Sequence, residues 1–352
     1  MPRTARLVRF TPLLIMLMLL AACATPASQT VEPTAAAPVG PGTLVIYSGR
    51  SEALVGPLIE QFKTATGVDV QVRYGSTAEI AATILEEGAS SPADIFFAQD
   101  PGGLGAVAKA GLFAPLPDEL LDKVEPRFRS PSKLWVGISG RARVIVYNSE
   151  AIQPADLPAD IFELTDPKWA GRVGWAPTNG SFQAMVSAMR VVWGDAKTSE
   201  WLRGMQANQP VVFEGNVPIV EAVGAGEVDI GLTNHYYLYR FLREQGEGFG
   251  ARNHFLRGGG PGSLILVAGV GRLAGGANEQ NALRFLEFML SLPAQQYFAS
   301  STNEYPLVEG VVTPTGLPPI ADLEATALDI DMADLEDLQG TINLMREAGV
   351  LP

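Results

Sequence analysis

From Thr43 to Gln99 the hydrophobic pattern changes period four times, and no other feature narrows the possible folds as much. TLVIYSG (43–49) is a short apolar run rich in β-branched residues that ends on Gly49, and it reads as a buried strand. Behind Ser51, a candidate helix cap, Leu54, Leu58, Ile59 and Phe62 recur at helical spacing. VDVQVRYG (68–75) alternates with period two, AEIAATILEEG (78–88) returns to the helical period, and ADIFFAQ (93–99) is again a strand. A β-α-β-α-β order predicts a mostly parallel sheet covered by helices, with the useful loops at the C-terminal ends of the strands.

A second α/β series follows. LWVGISG (134–140) and ARVIVYN (142–148) read as two strand runs joined through Gly140 and Arg141. After the strand in RVGWAP (172–177) come a helix over 181–194, a strand at 211–213, a helix over 217–227 and a strand at 228–234. SLILVAGVGR (263–272) leads back as a strand, and NALRFLEFMLSL (281–292) is an amphipathic helix. Two α/β series joined by extended strands predict two lobes, residues 43–140 with about 264–315 and residues 141–263 with about 316–352. The cleft between them is the default ligand site.

The first residues settle the expected compartment. Arg3, Arg6 and Arg9 precede an apolar stretch too short to span a bilayer, so residues 1–22 read as an export signal. Leu20-Ala21-Ala22-Cys23 resembles a lipobox, and Cys23 is the only cysteine, so it forms no internal disulfide. Lipid on Cys23 would tether the chain to a membrane surface as an extracytoplasmic lipoprotein. Residues 23–42 are mostly Pro, Ala, Thr and Gly, with almost no large apolar residue, and are expected to be a flexible linker. The net charge is −13, and removal of the signal takes away three arginines and no acid, leaving about −16. Such a balance argues against nucleic acid, whose binding needs a basic footprint.

No catalytic set emerges. The mature fold holds no thiol, no serine sits in a G-x-S-x-G elbow, and the two histidines, His235 and His254, have no cysteine partners at zinc spacing. Gly258–Gly262 is glycine-rich but lacks the lysine of a phosphate loop, and reads as a turn. A binding module that closes about a hinge suits the chain better than an enzyme. LTNHYYLYRFL (232–242) then poses a choice: Tyr236 and Tyr237 are either packed aromatics or two phenolates aimed at one ligand.

The order ATGVDVQV, EEGASSPADIFFAQD, GLFAPLP, SGRARVIVYNSE, PKWAGRVGWAPTNGSF, GNVPIVEAVGAGEVDIGLTNHYY and NEYPL, running from about Leu44 to Leu307, resembles the bacterial ferric-ion-binding proteins. The resemblance implies a two-lobed α/β fold of the type II periplasmic-binding-protein class, with mixed sheets flanked by helices. It also implies a monomeric, transferrin-like carrier that delivers Fe³⁺ to an ABC permease. Tyr236 and Tyr237 match the family's paired tyrosines, and phenolate oxygen is a hard ligand suited to a hard cation whose charge promotes deprotonation.

The family's synergistic anion, phosphate or carbonate, maps onto Arg141, Asn179, Gly180, Ser181, Asn216 and Asn234. PTNGS precedes a helix, whose N-terminus suits an anion, and Arg141 adds a bidentate donor. Two positions depart from the family. Its histidine after the first strand and its glutamate after the third are replaced by Ser51 and Gln99, with Glu52 and Asp100 as neighbouring carboxylates. Gly180 stands where some members place a third tyrosine. That loss keeps a second reading open, the same scaffold holding a small anion such as an organophosphate or phosphonate.

Overall fold

The structure is a computed structural model in which residues 42–314 and 316–352 are described. The expected export signal, Cys23 and nearly all of the expected linker lie outside the described residues.

The first lobe opens as its period changes require: β1 (Thr43–Ser48), α1 (Glu52–Thr66), β2 (Asp69–Tyr74), α2 (Thr77–Glu87), β3 (Ile95–Ala98) and α3 (Pro101–Lys109). β1 pairs in parallel with both β2 and β3. All four residues of β3 are buried, as befits a central strand covered on both faces. Ser76 caps α2 through a reciprocal box with Glu79, whereas Ser51 stands at the N-cap of α1 without a side-chain hydrogen bond. The serine expected to cap α1 therefore leaves its hydroxyl free.

β4 (Phe113–Ala114) and α4 (Asp118–Leu121) lead to β5 (Val136–Asn148), a single strand of 13 residues. The sequence suggested two runs broken at Gly140 and Arg141, but both residues stay extended because β10 (Ile265–Leu273) pairs across them. Gly140 is the residue that permits this, since a Cβ there would meet Leu307 and Tyr305 at 3.2 Å. β5 pairs with β10 up to Ala142 and with β8 (Ile230–Asn234) from Arg143 onward. It thus passes from one sheet region into the other, and the change of partner falls between Arg141 and Arg143.

The second lobe comprises β6 (Val173–Trp175), α5 (Gly180–Ala207), β7 (Val211–Val212), α6 (Asn216–Ala225), β8, α7 (Tyr236–Gln245) and β9 (Ala251–His254). α5 outruns the expected 181–194: it kinks at Gly194, whose φ is 78°, and continues to Ala207. The chain returns through β10 to α8 (Glu279–Met289), α9 (Leu292–Tyr297) and β11 (Tyr305–Pro306), then ends with α10 (Ile320–Glu324) and α11 (Leu338–Glu347). The main strand order is β2-β1-β3-β10-β5-β8-β6-β7, with parallel and antiparallel pairs, the mixed two-lobed arrangement that the resemblance implies. Apolar side chains fill the molecule in two clusters, a large one that runs through both α/β series and a smaller one around α6 and α7; Phe62 of α1, for example, meets Phe285 of α8 edge-on with ring centroids 5.2 Å apart. α11 packs on α5 through the Ser187 and Thr341 hydroxyls, 2.7 Å apart. Among the described residues no helix is long and apolar enough to cross a membrane.

Candidate functional site

A cleft of about 620 Å³ opens at the C-terminal ends of β1, β3 and β8, where the strand order switches. From the first lobe Ser51, Thr77, Gln99 and Asp100 reach it; from the second, Asn179, Gly180, Tyr236 and Tyr237 do.

The tyrosines sit at the first turn of α7, directly after β8. His235 already has helical φ and ψ, so the chain turns sharply from strand into helix, and the two rings lie side by side with centroids 4.3 Å apart. Tyr236 is buried and its hydroxyl has no hydrogen-bond partner, while Tyr237 is partly exposed. Burial, reinforced by Tyr237, pushes the Tyr236 phenol well above its ordinary pKa. A strong cation is needed to draw off that proton.

His235 is excluded from ligation by its own bonds. Its Nδ1 accepts from the Ala142 N–H at 3.1 Å and its Nε2 lies 2.7 Å from the Asn303 carbonyl, so the neutral ring ties α7 to β5. Burial lowers its pKa to about 4. Tyr239 donates to the Gly316 carbonyl at 3.1 Å and belongs to packing.

Beneath the tyrosines lies a layer of buried charge. Arg141 donates from Nε to the Ser181 hydroxyl at 3.3 Å, and Asn234 Nδ2 reaches the same hydroxyl at 3.1 Å. Arg143 Nη1 donates to Asn234 Oδ1 at 2.9 Å. Asn179 caps α5 by accepting from the Ser181 N–H at 3.1 Å. Arg141, Asn179, Gly180, Ser181 and Asn234 are therefore brought together at the N-terminus of α5. Both Nη atoms of Arg141, Nε and Nη2 of Arg143, and Nδ2 of the buried Asn216 have no partner, although donors at such depth are normally satisfied. Burial lowers the pKa of both guanidiniums, that of Arg143 to about 9 with Arg141 adding repulsion. Arg141 and Arg143, joined through Ser181 and Asn234, form a cluster of donors suited to negative charge, whereas no contact joins Asn216 to it.

The first lobe contributes less. Ser51 and Gln99 line the cleft, but Glu52 does not: it is exposed on the first turn of α1, and its charge acts on Tyr74 instead. Asp100 is buried in the cleft wall.

Sequence reading missed Arg50, Arg143 and Glu304. Arg50 and Glu304 are fully buried and pair at 2.6 Å, and Glu304 also accepts from Ser139 at 3.2 Å and from Thr302 at 3.0 Å. The available signal was a charge inside an apolar context: Arg143 interrupts the strand run ARVIVYN, and Glu304 lies between Asn303 and the buried Tyr305.

Residues 57–326 match the family described as bacterial extracellular solute-binding protein. The "Fe(3+)-binding periplasmic protein" of Serratia marcescens is 33% identical over 310 residues, 88% of this chain and 90% of that protein. This chain belongs to the bacterial ferric-ion-binding protein family. Iron-bound HitA from Pseudomonas aeruginosa superimposes with a TM-score of 0.84 at 36% identity, covering 88% of this chain and all of that one. A Trichodesmium protein described as IdiA or FutA, in complex with iron and citrate, superimposes with a TM-score of 0.75 at 30% identity, covering 88% and 99%. The family is extracytoplasmic, and these likenesses run through both lobes and the cleft just described.

Proposed function

We propose that this protein captures ferric iron outside the cytoplasm and hands it to an ABC importer, acting as a carrier and not as an enzyme. The observation that carries the reading is the pair of adjacent phenols on the first turn of α7, one buried without a partner, facing the cleft. Tyr236 and Tyr237 are the metal ligands in this reading. Among the described residues no three His, Cys, Asp or Glu side chains converge, so phenolate is the hard ligand that the cleft offers in duplicate. Arg141, Asn179, Gly180, Ser181, Asn216 and Asn234 supply the anion frame, where phosphate or carbonate would complete the coordination. Ser51 and Gln99 stand beside the metal, and water fills positions they leave.

The same reading takes Cys23 as the lipid anchor, residues 43–140 with about 264–315 and 141–263 with about 316–352 as the two closing lobes, and a monomer as the working unit. Titration of the apo protein with a ferric chelate tests it. Phenolate-to-iron charge transfer is expected to give a visible band at one iron per chain, and Tyr236→Phe is expected to abolish or strongly shift it. No band in the wild-type protein sinks the assignment.

The unpartnered guanidinium nitrogens of Arg141 and Arg143 support a second reading, a small organophosphate or phosphonate as the cargo. Tight, metal-free binding of such an anion by the wild-type protein, with no response to iron, would select it.

A further inference from the structure

The stretch NEYPL (303–307) carries part of the family likeness, yet none of its residues lines the cleft. Asn303 ends the π-helical turn Phe298–Thr302 with φ 57° and ψ 27°, a left-handed conformation that asparagine adopts more readily than most other side-chain-bearing residues. Its amide and that of Glu304 both donate to the carbonyl of Phe298, so the turn closes on a fully buried residue.

Both ends of α7 are fastened to Asn303. At the start of the helix His235 donates from Nε2 to the Asn303 carbonyl at 2.7 Å, and in the last turn Arg243 Nη1 donates to Asn303 Oδ1 at 2.5 Å. His235 and Arg243 are eight residues apart, about 12 Å along a helix, so the arginine side chain runs back towards the helix start to reach the same residue. The turn itself is anchored on either side. The ring of Tyr305 stacks on His235 with centroids 4.7 Å apart, and Tyr305 pairs with Gly140 of β5. Glu304 pairs at 2.6 Å with Arg50, which directly precedes Ser51. Ser51 on one wall of the cleft and Tyr236 on the other are thus joined through two short contacts, Arg50 to Glu304 and Asn303 to His235.

We propose that Asn303 is the positioning residue of the tyrosine pair: it holds α7 at both ends and so fixes how far Tyr236 and Tyr237 stand from the Ser51 wall. The inference deepens the ferric reading and rests on it for the effect on iron. Ligands on a first helix turn have to be held to within about 0.5 Å, and a helix of ten residues does not set its own place by its internal hydrogen bonds. Two contacts at opposite ends resist both tilting and sliding of the helix, whereas one contact leaves a pivot. Asparagine meets both demands at once, since it accepts through its carbonyl and its side chain and tolerates the left-handed backbone. Glycine at 303 keeps the turn and the carbonyl but loses the Arg243 bond; aspartate keeps all three.

The test compares Asn303→Gly and Asn303→Asp with the wild type, first iron-free and then loaded. In the apo protein, amide hydrogen exchange across residues 236–245 is expected to quicken about tenfold or more in Asn303→Gly, which loses a bond to a charged donor, and to stay near the wild-type rate in Asn303→Asp. In the loaded protein, the visible band of Asn303→Gly is expected to shift and a competing chelator to strip its iron about tenfold faster, with Asn303→Asp restoring both. Should Asn303→Gly fail to fold, Arg243→Met, which removes the same bond from the helix side, is read in its place. Unchanged exchange across α7 overturns the proposal. So does a fall in Tm with the band and the stripping rate unchanged, which is the mark of a purely structural contact, and so do equal defects in Asn303→Asp. Absence of a visible band in the wild-type protein defeats the ferric reading instead, and the exchange of α7 in the apo protein still decides whether Asn303 holds the helix.

Discussion

The pairing of Arg50 with Glu304 shows how single residues set the chemistry of this cleft. Arg50 lies in the loop after β1, one position before Ser51, and Glu304 lies in the turn before β11. Burial, the largest single influence, pushes the Arg50 pKa down, but Glu304 together with Tyr236 and Tyr237 outweighs it, so the net shift is upward. Arg50 also acts on Tyr236 as a nearby positive charge. Removing one member of a buried pair strands the other, at a cost of about 3–5 kcal/mol. Glu304→Gln is therefore expected to lower the urea midpoint by that amount of stability, while the double change Arg50→Met with Glu304→Leu recovers most of it. A single variant as stable as the wild type would mean that Arg50 finds another counter-charge.

At the scale of elements, α5 and β5 place the site. α5 delivers its N-terminus to the cleft and then kinks at Gly194, where φ is 78° and ψ is 164°. That conformation is all but confined to glycine, and no atom stands near the position a Cβ would take, so the cost of a side chain there is one of backbone alone. Gly194→Ala is expected to cost about 1–3 kcal/mol, read as a fall in Tm of a few degrees by calorimetry. A neutral result would show that α5 tolerates straightening. β5 carries Arg141 and Arg143 at its change of sheet partner, which sets two guanidiniums beside the start of α5 without any loop having to order itself.

For the whole molecule, β5 is the strand that runs from one sheet region into the other, pairing first with β10 and then with β8, and both α/β series contribute residues to the cleft. A ligand that touches both lobes binds the folded, closed form and not the unfolded chain. At a free concentration one hundred times Kd this adds about 2.7 kcal/mol of apparent stability. Addition of ferric nitrilotriacetate is expected to raise the Tm of the wild-type protein and to leave that of the Tyr236→Phe, Tyr237→Phe double variant unchanged. A rise with phosphate alone, and none with iron, would transfer the assignment to the anion reading.

The sequence by itself determined the alternating α/β series, because a change of hydrophobic period reports local geometry residue by residue. β1, β2, β3, β8 and β10 fall within a few residues of their expected bounds for that reason. It also singled out Tyr236 and Tyr237, through their place after a strand and the motif around them. Three features were decided only in the tertiary structure. β5 runs unbroken because β10 and β11 pair across Gly140, a contact between residues more than 120 positions apart. Glu52 and Asp100 look equivalent as loop acids, yet one faces solvent beside Tyr74 and the other lies against Gly180 of the opposite lobe. Arg50 and Glu304 form their buried pair across 254 positions. Burial and long-range pairing depend on which surfaces the folded chain brings together, and no local pattern encodes that.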